Sequence, residues 1–431
     1  METASSSRCI PPALSVLVPF RAPVPALDPF LTDLVAALEH LGEPWEIVVL
    51  TDRPITVSAP GPIRIVTVPD WGYGRALDRG LAESSGGWVL TIEPAFRHDP
   101  GYIARLWTSR HEADVVIASR YVRFGLADMP WVRWIASMLI NAFYRRLLSL
   151  EIHDLTSSLR LYRRPALREI APFGSEYDAL LEILVKLDCS GFRIVEAPFH
   201  YRPPGEDSTL SPLGRFGLES VASTFRLWRI RNSIFSADYD HRAFYSWVVP
   251  QRMWQRRRYQ VVHEMVGLQP GRVADLGCGT SMIVMGLPGC VSMDIQLKKL
   301  RFLRHLRLPL LQGSLDSLPL ASESFDTVIC SQVIEHVPRH LVRFDEMNRI
   351  LRPGGRLVIG TPDYGTRAWR FTEAIYQRLM PGGYADEHVT HFTRESLAAD
   401  LAAAGFSVRS HRYVYTGELV MAAEKVGRPR D

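Results

Sequence analysis

The chain has 431 residues, of which 47% are hydrophobic and 22% are charged, a composition typical of folded globular proteins rather than of disordered chains. Because single hydrophobic cores stop growing well below this length, two domains are predicted. The formal net charge of +4 suits phosphorylated ligands or an anionic membrane surface, and it does not specifically indicate nucleic acid.

The cysteines and the N-terminal residues indicate the cellular compartment of the protein. The five cysteines form no CxxC pair, which argues against a zinc site or a disulfide framework and favours a reducing cytoplasm. The first residues show no basic start followed by a long apolar stretch, so a secretory signal is not predicted. We expect a cytoplasmic protein, with contact to the inner face of a membrane as an open alternative.

Short runs of β-branched residues recur in the first half of the chain. They are LSVLVPF, EIVVL, IRIVTV, WVLTI and DVVIAS. Each is followed by a polar, glycine-rich or helical stretch, which is the alternation expected of a mostly parallel sheet. A first α/β domain is therefore predicted over residues 1–210.

These runs resemble, in order and spacing, the family 2 glycosyltransferases of the dolichol-phosphate mannosyltransferase type. The matching segments are LSVLVPF, EIVVLTDR, GYGRALDRGLAESSGG, DVVIASRY and HDLTSSLRLYRR. The resemblance implies a GT-A (nucleotide-diphospho-sugar transferase) fold with a donor site for a sugar nucleotide. The matching donor positions are Pro19, Asp52, Glu93, Arg202, Gly205 and Ser208.

The family's metal site is altered in this chain. Enzymes of the resembled family use two acids flanking one residue to hold a divalent metal against the donor diphosphate. Here the segment reads Glu93, Pro94, Ala95, so Glu93 is the one acid of the pair that remains to bind Mg²⁺ or Mn²⁺, with Asp99 as an open substitute for the second acid. Thr209 replaces the usual lysine of the phosphate loop. We expect donor binding to be weaker than, or different from, that of the family.

The acceptor side of the resemblance is better kept. Arg120, Arg133 and Ser137 match positions that hold the lipid phosphate in the related enzymes, and guanidinium groups bind phosphate well. The apolar face of residues 131–150 would then rest on a membrane surface without crossing the bilayer, since arginines interrupt it. The alternative is a helix that packs in the core.

A second series of strand-like runs follows residues 211–235, whose proline and glycines predict a linker. The series comprises RVADLGCG, CVSMDI, LPLLQGS, FDTVICSQ, GRLVIGTP, SVRSHRYVY and ELVMAAEKV. These seven runs predict a seven-stranded Rossmann-like α/β domain over residues 236–431.

A glycine turn follows the first strand of this domain, in VADLGCGT. Gly277 and Gly279 let the backbone approach a ligand where any side chain would collide. Asp294 ends the next strand, where a carboxylate can accept both ribose hydroxyls of a bound nucleoside. Turn and carboxylate together predict a cofactor pocket.

The sequence from LPLLQGS to MNRILRPGGRLVIGTPDY resembles the class I methyltransferases of the type 11 group, which use S-adenosylmethionine. The resemblance implies a residue set around that cofactor. For the methionine part it comprises Asp275, Gly277, Cys278 and Gly279, for the ribose Asp294, for the adenine Ser314, Leu315 and Asp316, and for the methyl group Ser331 and Gln332. Ser281 departs from the family, where a third glycine is usual.

His336, in VIEHV, is a candidate general base, because an imidazole near neutral pH can remove a proton from a hydroxyl acceptor. The alternative is a structural histidine packed beneath the strand. His388 and His391, in EHVTHFT, leave the same two interpretations open.

Two functions remain open at this point. In the first, a bifunctional transferase acts on a glycan or a polyprenyl-phosphate-linked sugar with one domain and methylates that product with the other. In the second, the first domain is a catalytically inactive lipid- or sugar-binding module that docks an S-adenosylmethionine-dependent methyltransferase.

Overall fold

Two compact units make up the chain, Met1–Asn232 and Ser233–Asp431. The computed structural model describes residues 11–21, 27–94, 101–174, 178–202, 219–379 and 388–426. The boundary between the units falls inside the interval 211–235, the predicted linker.

A seven-stranded sheet forms the centre of the first unit. Its strands are β1 (Leu14–Pro19), β2 (Trp45–Thr51), β3 (Ile63–Thr67), β4 (Trp88–Thr91), β5 (Val115–Ser119), β7 (Arg160–Arg163) and β8 (Ile194–Pro198). The order is β3-β2-β1-β4-β7-β5-β8, and β7 runs antiparallel to β4 and β5 while the other pairs are parallel. A separate small sheet pairs β6 (Leu126–Ala127) with β9 (His200–Tyr201).

Helices cover both faces of this sheet. They are α1 (Leu27–Glu39), α2 (Tyr73–Glu83), α3 (Gly101–Ser109), α4 (Trp131–Leu148), α5 (Arg164–Ile170), α6 (Ala179–Cys189) and α7 (Glu219–Arg231). Strand β1 sends Leu17 into one core and Val16 and Val18 into the other. Burial on both faces explains why Val16, Leu17 and Val18 follow one another as apolar residues instead of alternating with polar ones.

Helix α7 is part of the first unit. Leu227 is 1% exposed and lies in the core to which α6 contributes. Arg231 is also buried, with Nη2 2.8 Å from Asp188 Oδ2, and its Nε donates a hydrogen bond to the carbonyl of Leu148. Residues 219–231 of the predicted linker are therefore a helix that Leu227 and Arg231 anchor in the first unit.

The second unit is built on another seven-stranded sheet. Its strands are β10 (Val273–Leu276), β11 (Val291–Asp294), β12 (Leu310–Gln312), β13 (Phe325–Ser331), β14 (Leu351–Pro362), β15 (Phe406–Val414) and β16 (Glu418–Lys425). The order is β12-β11-β10-β13-β14-β16-β15, with β16 antiparallel to its two neighbours and the remaining pairs parallel. The predicted seven-stranded Rossmann-like domain is confirmed.

The helices of this unit include one unusually short element. They are α8 (Tyr239–Phe244), α9 (Val249–Val266), α10 (Met282–Met285), α11 (Leu297–Leu303), α12 (Phe344–Ile350), α13 (Arg367–Leu379) and α14 (Arg394–Ala403), with 3₁₀ turns at Arg304–Leu306, Ile334–His336 and Arg339–Leu341. Helix α10 has four residues, and Ser281 caps it by accepting a hydrogen bond from Ile283 N.

The strand order changes direction at β10, which lies between β11 and β13. In open sheets of this kind the crevice for a ligand lies outside the carboxyl ends of the strands at such a switch point. The loops after β10, β11 and β13 therefore converge where a cofactor site is expected.

Candidate functional site

The turn that follows β10 requires glycine at two positions. Gly277 and Gly279 have φ angles of +74° and +54°, in the left-handed region that other residues rarely adopt. A Cβ atom on Gly277 would lie 2.5 Å from Val333 Cγ2, and one on Gly279 would lie 2.8 Å from Asp240 Oδ2. Both positions therefore exclude a side chain.

Asp294, the predicted ribose acid, lies at the carboxyl end of β11 and is largely buried. Its Oδ2 accepts a hydrogen bond from Gly279 N at 2.9 Å, and its Oδ1 accepts one from Gln296 N at 2.7 Å. A carboxylate offers about four acceptor positions, so these two bonds leave capacity for a ligand. The structure brings the predicted acid and the glycine turn together.

A second carboxylate, Asp275, lies in β10 beside this turn. Burial raises the pKa of Asp275 to about 7, and the negative charge of Asp294 adds to that effect. Two carboxylates in a buried site disfavour each other's ionisation, so a cationic ligand between or beside them would stabilise both. The neighbouring Cys278 side chain packs instead against Val284 and Leu300.

Sequence reasoning misses two charged residues beside the turn. Lys299 Nζ lies 3.2 Å from Asp240 Oδ2, and both side chains are largely buried. The same Asp240 oxygen accepts a hydrogen bond from Thr280 N at 3.3 Å. No motif in the sequence marks either residue, and the closeness of Lys299 to Asp294 along the chain is the only usable signal.

The predicted adenine residues lie in the loop after β12. Gly313 N donates a hydrogen bond to the carbonyl of Asp294 at 3.2 Å, which places this loop beside the predicted ribose acid. Leu315 is buried in the core, Ser314 is half-buried, and Asp316 is exposed. Leu315 therefore packs the base of the loop.

The predicted methyl-end residues, Ser331 and Gln332, lie where β13 ends. Gln332 has a φ of +59°, an uncommon backbone conformation for a residue with a side chain. Among the described residues, neither Ser331 Oγ nor Gln332 Nε2 has a hydrogen-bond partner, although both atoms are buried. Unsatisfied polar atoms clustered at a strand end are typical of sites that bind a ligand.

His336 lies just beyond these residues, in a cluster that sequence reasoning predicts only in part. One ligand atom each of Glu335, His336 and His388 lies within 4.8 Å of the others. His391 is exposed, and its ring stacks on that of Tyr364 at 3.9 Å. The structure thus brings His336 and His388 together around the buried Glu335, which no motif in the sequence indicates.

In the first unit, three predicted donor residues lie at the carboxyl ends of neighbouring strands. Pro19, Asp52 and Glu93 follow or end strands β1, β2 and β4, which are neighbours in the sheet. Asp52 Oδ2 forms ion pairs with Arg21 at 3.5 Å and with Arg53 at 3.4 Å. The charge of Asp52, one of the predicted donor residues, is therefore offset within the protein.

Of the three remaining donor residues, the structure describes Arg202. Arg202 is exposed, and its Nε lies 3.7 Å from Asp128 Oδ2. Gly205 and Ser208 lie outside the described residues, as does Ala95 of the altered metal segment.

Arg120, predicted to hold a lipid phosphate, forms a bidentate ion pair. Its Nε and Nη2 donate hydrogen bonds to Asp154 Oδ2 and Oδ1 at 2.8 and 2.7 Å, and Nη2 also donates to Thr156 Oγ1 at 2.7 Å. Burial alone would raise the pKa of Asp154, but the Arg120 guanidinium holds it below its usual range. The Arg120 charge is thus already offset by Asp154. This finding corrects the prediction that the Arg120 guanidinium is available to a lipid phosphate alone.

Ser137 and Arg133 lie on α4, whose apolar side chains are mostly exposed. Ser137 Oγ accepts a hydrogen bond from Tyr121 Oη at 2.6 Å. The exposed apolar side chains of α4 are Trp131, Val132, Trp134, Ile135, Met138, Leu139 and Phe143. The core-packing alternative for this helix is therefore wrong along most of its length. Within the described residues, no helix combines the length and apolar character needed to cross a membrane.

Two family models match the two units. The model of the methyltransferase domain matches residues 274–359, and that of glycosyl transferase family 2 matches residues 15–171. The chain therefore carries a methyltransferase domain in its second unit and a glycosyltransferase family 2 domain in its first, within a mixed α/β architecture.

Individual relatives fall into the same two groups. A malonyl-[acyl-carrier protein] O-methyltransferase of Methylococcus capsulatus is 35% identical over 157 residues, which are 33% of this chain and 54% of the relative. A demethylmenaquinone methyltransferase of Mycobacterium sp. (strain KMS) is 33% identical over 37% of this chain and 66% of the relative. An uncharacterized glycosyltransferase of Mycobacterium tuberculosis is 29% identical over 36% of this chain and 70% of the relative. The chain thus spans less than two thirds of the length of the first two relatives.

Proposed function

We propose that the protein is an S-adenosylmethionine-dependent methyltransferase that modifies a glycan or a polyprenyl-phosphate-linked sugar. The observation that carries the proposal is the contact between Asp294 and Gly279, which joins a carboxylate suited to ribose hydroxyls to a turn that excludes side chains. Methyl transfer requires chiefly that an acceptor atom be held in line with the sulfonium, so positioning supplies much of the acceleration.

The residues beside the turn fit a cationic nucleoside. Asp275 and Asp294 are both buried carboxylates, and S-adenosylmethionine carries positive charge on its sulfur and its amino group. Asp294 would bind the ribose, the backbone from Gly277 to Gly279 would lie along the methionine part, and Asp275 would offset positive charge. Burial raises the pKa of Asp275 and so disfavours its ionised form. The positive charge of the bound cofactor would stabilise that form.

Affinity for S-adenosylmethionine should therefore fall as the pH is lowered from 8 to 6. At pH 6 a carboxyl with a pKa of about 7 is mostly protonated, and a cation that lowers this pKa on binding must displace the proton. If the pKa in the complex lies below about 5, the dissociation constant should rise about tenfold over this range. Calorimetric titration of the full chain at the two pH values measures the effect.

Asp275→Asn is the matched control for this titration. The amide does not ionise, so the variant should bind S-adenosylmethionine more weakly at pH 8 and show little change between pH 8 and 6. A wild-type affinity that is constant over this range would remove Asp275 from the cofactor site. The absence of any binding by the full chain would overturn the proposed function.

The glycosyltransferase family 2 domain suggests the class of substrate. Joining two modules in one chain raises the concentration of the product of one at the other site to about the millimolar range for a short linker. The first unit therefore makes or binds the methyl acceptor, which reaches the second site at this raised concentration. In this proposal the first unit transfers a sugar and the second methylates the product.

A second candidate is favoured by α4. Its exposed tryptophans, leucine and phenylalanine lie on the same helix as Arg133, Arg145 and Arg146, a combination typical of segments that bind an anionic membrane surface. The offset charge of Asp52 and the single acid at Glu93 weaken the donor site. The first unit would then dock the methyltransferase at a lipid surface without transferring a sugar.

Turnover of sugar nucleotides separates these candidates. If the first unit is a transferase, the full chain should release nucleoside diphosphate from a sugar nucleotide in the presence of Mg²⁺ or Mn²⁺ and polyprenyl phosphate. Glu93→Gln should then lower the rate by about 100-fold or more, since metal assistance contributes several kcal/mol. Glu39→Gln, an exposed acid on α1, is the control. Absence of turnover with all common sugar nucleotides, together with binding to anionic vesicles, would favour docking.

A further inference from the structure

Three potential metal ligands meet at the carboxyl edge of the second sheet. Glu335 and His336 belong to the 3₁₀ turn Ile334–His336 that follows β13, and His388 lies shortly before α14. One ligand atom of each residue lies within 4.8 Å of the others, and the two imidazole centroids are 5.0 Å apart. Segments more than fifty residues apart in the chain thus bring one carboxylate and two imidazoles into one cluster.

Glu335 is the central member of this cluster, and it is fully buried. Its Oε2 accepts a hydrogen bond from Thr361 Oγ1 at 3.1 Å. Its Oε1 is buried and has no hydrogen-bond partner among the described residues. A buried carboxylate oxygen is costly unless it is paired or coordinates a cation, so this atom indicates a ligand.

His388 is held in a fixed orientation by two neighbours. Its Nδ1 lies 2.8 Å from Tyr364 Oη and 3.2 Å from Glu373 Oε1. Nε2 is therefore the nitrogen that can bind a cation without loss of these contacts. A carboxylate hydrogen-bonded to the far nitrogen of an imidazole is the usual outer support of a metal-binding histidine.

We propose that Glu335, His336 and His388 bind one divalent transition-metal ion. Two imidazoles and one carboxylate suit Zn²⁺ and related ions better than Mg²⁺ or Ca²⁺, which prefer oxygen ligands alone. Three protein ligands leave at least one coordination position open, as in catalytic rather than structural zinc sites.

The place of the cluster gives the ion a role, which rests on the proposed methyl transfer. Val333 is two residues before Glu335. A Cβ atom on Gly277 would lie 2.5 Å from Val333 Cγ2, so this loop lies against the glycine turn. The unsatisfied Ser331 Oγ and Gln332 Nε2 lie on the same loop. An acceptor hydroxyl bound at the open position would lie at the methyl end of the predicted cofactor site, and coordination would lower its pKa. The metal would thus select oxygen acceptors.

Metal binding can be measured without any turnover. The full chain is stripped with a chelator and titrated with Zn²⁺ by calorimetry, and with Co²⁺ by visible absorption. We expect one ion per chain. His336→Ala and His388→Ala should each weaken Zn²⁺ binding by at least about 100-fold, beyond the loss usual for an outer-shell partner. His340→Ala, which removes an exposed histidine four residues after His336, is the matched control and should bind as the wild type does.

The outcomes keep this proposal distinct from the proposed function. A stripped chain that binds S-adenosylmethionine but takes up no Zn²⁺ or Co²⁺ would overturn the metal site and leave methyl transfer standing. Equal Zn²⁺ affinity in the wild type and both histidine variants would also overturn it. Glu335→Gln guards against misfolding, because it keeps the side-chain shape and should alter the Co²⁺ spectrum while the thermal unfolding temperature of the stripped chain is maintained.

Discussion

Asp294→Ala should weaken S-adenosylmethionine binding by about 1.5 to 3 kcal/mol, the usual range for a hydrogen bond to a charged group. This corresponds to about a 10- to 150-fold higher dissociation constant at 25 °C. The variant removes the acceptor proposed for the ribose hydroxyls, and it also leaves Gly279 N and Gln296 N without their carboxylate. Calorimetric titration of the full chain measures the change.

Two further variants separate ligand contact from support of the turn. Asp294→Asn keeps one oxygen for a backbone N–H and removes the charge, so it should fall between the wild type and alanine. Asp345→Ala breaks an exposed ion pair with Arg343 and should leave the affinity unchanged. If Asp294→Ala binds S-adenosylmethionine as tightly as the wild type does, the ribose assignment is removed.

Asp154→Ala should destabilise the first unit by about 3 to 5 kcal/mol, the cost of removing one partner of a buried ion pair. Asp154 is fully buried and accepts two side-chain hydrogen bonds and one backbone hydrogen bond from Arg120. Its Oδ1 also accepts from Ser157 N at 3.1 Å. Alanine would leave the buried guanidinium without its carboxylate partner, although Nη2 keeps its bond to Thr156 Oγ1. It would also leave the backbone N–H groups of Arg120 and Ser157 without an acceptor.

Denaturant unfolding of the full chain, followed by tryptophan fluorescence, measures this loss. The transition of the second unit is identified as the one that S-adenosylmethionine shifts, and it should be unchanged in Asp154→Ala. Asp128→Ala, whose exposed carboxylate pairs with His200 and Arg202, is the control and should cost less than about 1 kcal/mol. A loss of similar size in both variants would contradict the structural role assigned to the Arg120–Asp154 pair.

The sequence predicts the fold well because hydrophobic runs and turns repeat at the spacing of strands and helices. The runs around Val273 and Val291 are apolar, and they end in a glycine turn and in an acid, respectively. This pattern predicts two parallel strands with a ligand site at their carboxyl ends. Gly286 and Pro288 follow closely after the four-residue helix α10, and both residue types disfavour continuation of a helix.

The side-chain environment of the sites is less accessible from sequence. Position alone predicts a phosphate contact for Arg120, and nothing local shows that Asp154, 34 residues later, will take its guanidinium. Likewise Glu335 reads as an ordinary acid of a surface turn until the fold buries it beside His388. Pairings between distant segments depend on tertiary packing, which no local pattern encodes.

Because helix α7 packs in the first unit, it determines where the chain can be divided for separate expression of the two units. A gene fragment that stops after residue 210 would omit Leu227 from the first core and strip Asp188 of its arginine partner. A fragment that stops after Asn232 retains both and leaves the second unit whole. The first unit thus includes a helix that lies beyond residues 15–171, the part matched by the model of glycosyl transferase family 2.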